Sequence, residues 1–217
     1  MKATAISLSF GLGLALCLGL AAPAAAQDPP ALSIRPFVMA TEQSFAAIDT
    51  FSATFGKTVF PFFGGGVQVV VNDGFYAELS ASRFRQTGER AYLSGGKAFK
   101  LGIPLTATIT PFELSGGYRF HLRQLPNVRP YAAIGFGSYG YQEISDFAEP
   151  GENVDTRHSG FVLNGGAELR LHRWVGLAID AQYSQVKGIL GSGGVSQQAG
   201  ESDLGGVAAR VKLVVGR

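Results

Sequence analysis

Apolar and polar residues alternate in eight segments of this chain, each of about ten residues, the length of a tilted membrane strand. In 75–82, for example, the odd positions are all apolar, whereas the even positions include Glu78, Ser80 and Ser82. A two-residue period is that of a β-strand with one apolar and one polar face. The segments are 32–39, 66–72, 75–82, 112–120, 131–141, 161–171, 175–184 and 206–215. The pattern predicts an all-β protein with eight strands.

The connections between these segments alternate between short and long. Asn72-Asp73-Gly74, 122–129 and His172-Arg173 are short turns, and the long connections are 41–62, 85–104, 142–158 and 187–203. Both chain ends then lie on the short-turn side, which is typical of antiparallel up-and-down barrels with short periplasmic turns and longer external loops.

The first long connection contains a helical signal. Phe45, Ile48, Phe51 and Phe55 recur in it at helix-like spacing. This spacing predicts a short helical turn within the loop.

The residues before Pro111 are out of phase with those after it. Leu105, Ala107 and Ile109 are apolar at odd positions, whereas the apolar residues from Phe112 onwards occupy even positions. Two interpretations remain open. A bulge at Pro111 resets the phase, or residues 101–110 belong to the preceding loop.

The composition of the polar face indicates which side of the barrel points outward. It consists mostly of Gly, Ser, Asn, Gln and Ala, and only 16% of the chain is charged, against about 25% in soluble domains. A barrel surrounded by water needs a charged exterior. The sequence therefore predicts a transmembrane β-barrel with its apolar face toward lipid. The alternative is a soluble periplasmic barrel that binds a ligand in an apolar interior.

Five basic and four acidic residues fall on the predicted inner face. Buried charges persist only when they are paired, so these residues are expected to form a structural ion-pair network that plugs the lumen. The nine are Arg35, Glu78, Glu113, Arg119, Glu168, Arg170, Asp180, Arg210 and Lys212.

Residues 1–26 have the layout of a cleaved signal peptide: Lys2, an apolar run over 6–20, and small residues up to Ala26. The run is too short for a spanning helix. The domains are then 1–26, the signal peptide, and 27–217, the barrel.

Without Lys2 the basic residues number 17 against 16 acidic ones, so no strong positive field is available for nucleic acid. The one cysteine, Cys17, lies in the leader, which excludes a disulfide framework.

Three sequence stretches resemble the small outer-membrane β-barrel domain family that includes OmpA-, OmpX- and OmpW-like proteins. They are Gly-Gly-Tyr-Arg-Phe at 116–120, Arg-Pro-Tyr-Ala-Ala-Ile-Gly-Phe-Gly at 129–137 and Gly-Gly-Ala-Glu-Leu-Arg at 165–170. The resemblance implies residence in the cell outer membrane, contact with its lipid and insertion by the barrel-assembly machinery. Family members usually end on an aromatic residue read by that machinery, whereas this sequence ends on Gly216 and Arg217.

The chain offers little for catalysis or metal binding. His158 and Ser159, with Asp155 nearby, form the best candidate for a nucleophile and its base, but adjacent side chains on a strand point to opposite faces. The acids of the third long connection lack the spacing of a calcium loop, and the glycine runs at 64–66 and 191–194 lack the Lys-Ser/Thr of a phosphate loop. Those acids are Glu143, Asp146, Glu149, Glu152 and Asp155. We expect no enzyme, no cofactor and no metal.

Function is therefore expected from the barrel and its loops. Eight strands enclose space for side chains or one small ligand, so general diffusion is not expected. The leading hypothesis is a structural or surface-interaction protein that presents four external loops. The second is a narrow channel or binder for small apolar molecules, OmpW-like, which the apolar residues of 45–63 and 92–105 suggest. An extracellular or small apolar ligand is the expected partner, and nucleic acid is not.

Overall fold

A computed structural model describes residues 32–72, 74–95, 97–148 and 153–216. The predicted leader, with Cys17, and residues Asp73, Glu149, Glu152 and Arg217 lie outside this part. The elements in chain order are β1 (Leu32–Phe45), α1 (Ile48–Phe55), β2 (Val59–Val71), β3 (Phe75–Ser94), β4 (Lys97–Arg119), β5 (Val128–Ile144), β6 (Val154–His172), β7 (Val175–Gln185), α2 (Gly194–Ala199) and β8 (Gly206–Val215).

The eight strands form a closed antiparallel barrel. Each strand pairs with the next, and β8 returns to pair with β1, for example through Phe37 and Val214. Closure gives every strand two neighbours, so no edge is left with unpaired backbone groups. The predicted eight-stranded up-and-down barrel is confirmed. Neither helix in the described residues is long and apolar enough to cross a membrane.

Large apolar side chains cover the outside of the barrel. Phe136 and Phe75 expose 71% and 68% of their surface. At the end that carries the short connections, called here the turn end, the ring of Tyr118 lies 4.9 Å from that of Phe75 and 5.2 Å from that of Phe120. An outward apolar face flanked by aromatic residues is the surface of a lipid-embedded barrel, and it is the reverse of a soluble ligand-binding barrel.

The opposite end, called here the loop end, differs from the sequence prediction. β3 and β4 pair as far as Ser94 and Lys97, so the expected loop 85–104 is a long β-hairpin. The strands of this hairpin do not alternate between apolar and polar residues, because the hairpin projects beyond the apolar band and neither of its faces contacts lipid. The third connection also shortens to 145–153, since β5 and β6 are longer than predicted. The other two outer connections carry α1 and α2, and α1 confirms the predicted helical turn.

Both interpretations of Pro111 are wrong. β4 is continuous, and Pro111 pairs with Tyr139 without a register shift. Odd positions face inward along β4, including Leu105 and Ile109 above Pro111 and Glu113 below it. The phase therefore stays constant, and the lumen itself changes from polar to apolar at this level.

Candidate functional site

The strand period places the predicted charged residues inside the barrel. Glu78 on β3, Glu168 on β6 and Asp180 on β7 are at most 4% exposed, and their sequence neighbours face outward. Small inward residues make room for them. A Cβ on Gly66 would lie 2.7 Å from the Phe37 ring, so this position of the crowded lumen requires glycine.

The first group of ion pairs centres on Asp180. Its carboxylate accepts a hydrogen bond from Arg210 Nε at 2.5 Å and lies 3.1 Å from Lys212 Nζ. Lys212 also donates to Glu78 at 2.7 Å. Arg210 Nη1 lies 3.8 Å from Glu113. Three acids and two bases from four strands therefore meet in one cluster.

The second group of ion pairs centres on Glu168. Arg35 donates to both of its carboxylate oxygens, and Arg119 Nη2 donates to Oε2 at 3.1 Å. A two-pronged guanidinium contact of this kind fixes geometry as well as charge. Because Arg35, Arg119 and Glu168 belong to β1, β4 and β6, the pairs cross the lumen.

Arg170 behaves differently from the other eight predicted residues. It is half-buried near the turn end, and no described carboxylate forms an ion pair with it. The structure thus brings eight of the nine residues into ion pairs and leaves this one outside them.

Neutral side chains complete the network, and sequence reasoning missed them. Tyr131 donates to Asp180 at 2.5 Å, Tyr139 and Gln182 donate to Glu113 at 2.6 and 2.7 Å, and Gln68 donates to Glu78 at 2.6 Å. The aromatic and glycine-rich run of β5 hid which of its residues face inward. The side of the β5 residues follows from the register against β4, which pairs Pro111 with Tyr139, and the sequence alone does not give that register.

An aromatic layer lies above the ion pairs, toward the loop end. Phe45 stacks on Phe51 of α1 with ring centroids 3.9 Å apart, and Phe60 meets Phe84 at 5.3 Å. These rings come from three strands and from the helix that folds over them. The layer also contains Phe62, Ala107, Ile109, Tyr139, Val162, Val186 and Leu204. Sequence reasoning predicted the helical turn but not its packing into the lumen.

Little space separates the two layers. The void between Glu113 and Arg210 on one side and Phe62 on the other is about 20 Å³, room for about one water molecule. Outside the aromatic layer, a cavity of about 540 Å³ opens toward the exterior between α1, α2 and the β3–β4 hairpin. Its lining includes Phe51, Phe55, Leu101, Leu105, Ile189 and Leu190.

The catalytic and metal candidates are dispersed. His158 is half-buried beside Gly188, whereas Ser159 is exposed on the opposite face of β6. Asp155 is exposed and accepts a hydrogen bond from Gln142 at 3.3 Å. Within the described residues, no group of three or more His, Cys, Asp or Glu side chains is placed to hold a metal ion.

Comparison with known proteins agrees with this architecture. The model of the family described as outer membrane protein beta-barrel domain matches residues 12–211. Among solved structures, the outer membrane protein OprG of Pseudomonas aeruginosa is similar with a TM-score of 0.53 at 11% identity, covering 86% of this chain and 96% of its own. Ail, the attachment invasion locus protein of Yersinia pestis, gives 0.49 at 12% identity, covering 85% and 97%. No curated protein sequence matches the chain.

Proposed function

The chain belongs to the outer membrane protein beta-barrel domain family, and from that premise we propose that it is a closed barrel of the outer membrane with a structural or surface-interaction role. Its lumen is blocked, and its loop end faces the exterior, since short turns are periplasmic in such barrels. The observation that carries this proposal is the filling of the lumen by two successive layers, one of ion pairs and one of aromatic rings.

The two layers block different solutes. Ions and polar molecules that pass the loops meet the aromatic layer, whose apolar side chains cannot replace their hydration. Apolar molecules that pass this layer meet the paired charges around Asp180 and Arg210, which are nearly inaccessible to solvent. General diffusion through the barrel is therefore not its role.

The surface at the loop end supports a role in contact with a partner because hydrogen bonds hold its loops together. Glu201, in the last outer connection, accepts hydrogen bonds from the backbone of Asp49 and Thr50 at 3.0 and 2.8 Å. Gln198 of α2 accepts one from the backbone of Leu93 at 2.6 Å. A surface ordered in advance loses little entropy when a partner binds.

Cysteine labelling tests the blocked lumen. The proposed mature chain has no cysteine, so a single introduced cysteine reports access to its own position. Ser80→Cys reports access to the ion-pair level of the lumen, and Ser94→Cys reports access to the exposed end of the hairpin. We expect a membrane-impermeant maleimide added to intact cells to label position 94 quickly and position 80 at least about a hundredfold more slowly. Equal labelling of both positions contradicts a blocked lumen.

The external cavity favours a second function, the binding of a small apolar molecule. Gly193 borders this cavity, has an extended backbone, and offers open space for a side chain. Gly193→Trp is thus expected to fill the cavity. Proteoliposomes of the parent chain should retain a labelled aromatic hydrocarbon above the level of empty vesicles, and Gly193→Trp should abolish the excess. Ser94→Trp on the exposed hairpin is the control, and equal retention by all three proteins excludes the site.

We also propose that the chain catalyses no reaction and that residues 1–26 are removed on export, which leaves 27–217 for the barrel-assembly machinery to insert. The opposite directions of His158 and Ser159 support the first part. The mass of the protein purified from outer membranes tests the second. We expect a chain that begins at Gln27, and retention of the leader contradicts the assignment.

A further inference from the structure

Two arginines occupy the outer face of the barrel in one row across four neighbouring strands. Arg83 on β3 is level with Thr110 on β4, which pairs with Gly140 on β5, and Gly140 pairs with Arg157 on β6. Both arginines are exposed. Three inter-strand spacings separate them, about 14 Å between Cα atoms.

The geometry of this row leaves both guanidinium groups accessible. Arg157 lies across Gly140, where a Cβ would come within 3.1 Å of its Nη2, and it donates to Ser138 Oγ at 3.3 Å. Among the described residues, neither Arg83 nor Arg157 forms an ion pair with a carboxylate. A group seated above Thr110 and Gly140 is within reach of both arginines and of the threonine hydroxyl.

A groove continues from this row toward the loop end. It has a volume of about 400 Å³, and its lining includes Arg83, Arg85, Thr106, Thr108, Gln142 and Asp146. A second acid on the outer face, Asp155, accepts a hydrogen bond from Gln142 of this lining. The row and groove together carry three arginines against these two acids, and the excess of positive charge lies next to hydroxyl and amide groups.

The row lies at the outer boundary of the lipid-facing band. Arg83 pairs directly with Phe63, which is 67% exposed. Toward the turn end, the outward residues include Phe112, one outward position below Thr110 on β4, and Phe136, two outward positions below Gly140 on β5. Arginine on a lipid-facing surface is unfavourable within the hydrocarbon and tolerated at the interface, where anionic head groups attract it.

We propose that Arg83, Arg85 and Arg157 form a binding site on the outside of the barrel for the phosphate groups of an anionic lipid in the outer leaflet. The arginines hold the phosphates by charge-assisted hydrogen bonds. The acyl chains of the lipid run along the aromatic and aliphatic band below. This site is separate from the lumen and from the external cavity.

Lipid binding to the refolded full chain tests the proposal. In neutral detergent micelles, native mass spectrometry measures the affinity for diphosphorylated lipid A and for the same lipid after phosphate removal. We expect the double variant R83Q/R157Q to bind the phosphorylated lipid roughly 30-fold more weakly, since each basic residue near an anionic surface contributes about 1 kcal/mol. Removal of the phosphates from the lipid should weaken binding to the parent chain to a similar degree.

The matched control carries the same loss of charge at the turn end, as R123Q/R173Q, where both arginines are exposed. Unboiled gel mobility verifies that all variants are folded. Unchanged affinity of the control, together with weak binding by R83Q/R157Q, supports the site. The proposal is overturned if both double variants lose affinity equally, or if the dephosphorylated lipid binds as tightly as the phosphorylated one.

Discussion

At the scale of single residues, each acid in the lumen is held by more than one donor. Asp180 accepts from Arg210 and Tyr131 and lies close to Lys212. Removal of one buried charge leaves its partners uncompensated in a medium that solvates them poorly. We therefore expect the loss of the Asp180 charge to lower the stability of the barrel more than the loss of any other single lumen charge.

Asp180→Asn should lower the free energy of unfolding by about 3–5 kcal/mol. The exposed Asp155→Asn should stay within about 0.5 kcal/mol of the parent chain. Urea unfolding in lipid vesicles measures both, followed by the fluorescence of Trp174, the single tryptophan. Equal stability of the two variants contradicts an ion-paired lumen.

Glycine substitutions test how tightly the lumen is filled. A Cβ on inward Gly66 would meet the Leu79 carbonyl oxygen at 2.1 Å, whereas on lipid-facing Gly116 its nearest contact is at 3.9 Å. Gly66→Ala should destabilise the barrel by about 1–3 kcal/mol through overpacking, and Gly116→Ala should not. The same urea experiment compares the free energies of unfolding of the two variants. If Gly66→Ala is as stable as the parent chain, the lumen has spare room.

The sequence alone predicted the side of the sheet for the charged residues but not their partners. Alternation is a local property, so it placed Glu113 inward without any structure. The contacts of Glu113 with Tyr139 and Gln182 depend on register across strands far apart in the chain, and a single sequence does not contain that register explicitly.

At the scale of elements, α1 and β4 explain where the sequence interpretation went wrong. The rule that polar residues face inward fails above Pro111 because α1 inserts Phe51 into the lumen and makes that level apolar. Leu105 and Ile109 then face inward without any change of phase. The hairpin beyond residue 85 was missed for a related reason, since strands outside the membrane have no lipid side to impose alternation.

The link between α1 and the last outer connection gives a prediction for these elements. Glu201→Ala removes three hydrogen bonds to the start of α1, including one from Thr50 Oγ1 at 2.6 Å. Each is worth about 0.5–1.5 kcal/mol, so protease cleavage within 186–205 should accelerate roughly tenfold or more. Unchanged cleavage contradicts a fastened outer surface.

The control for this experiment is Glu89→Ala on the β3–β4 hairpin, which removes a carboxylate that accepts no hydrogen bond within the described residues. Its cleavage rate should match that of the parent chain. Both variants should keep the unboiled gel mobility of a folded barrel, because neither substitution touches the strands below the aromatic layer.

At the scale of the whole molecule, the barrel is closed around its circumference, and we propose that it is also closed along its axis. Circumferential closure follows from eight alternating strands and short turns, and it was predictable. The proposed closure along the axis rests on the ion pairs around Asp180 and on the ring cluster of Phe45, Phe51 and Phe60. The sequence analysis expected ion pairs in the lumen but no aromatic layer, because the aromatic layer depends on a loop helix that folds back into the barrel.

Single-channel recording in planar bilayers tests this closure most directly. The purified chain, inserted beside a pore-forming barrel that reports the sensitivity of the same membrane, should add no discrete conductance steps in concentrated salt. The variant Phe60→Ala, which thins only the aromatic layer, should also remain silent because the ion pairs stay in place. Reproducible steps from the parent chain contradict a blocked lumen and assign the barrel a role as a channel.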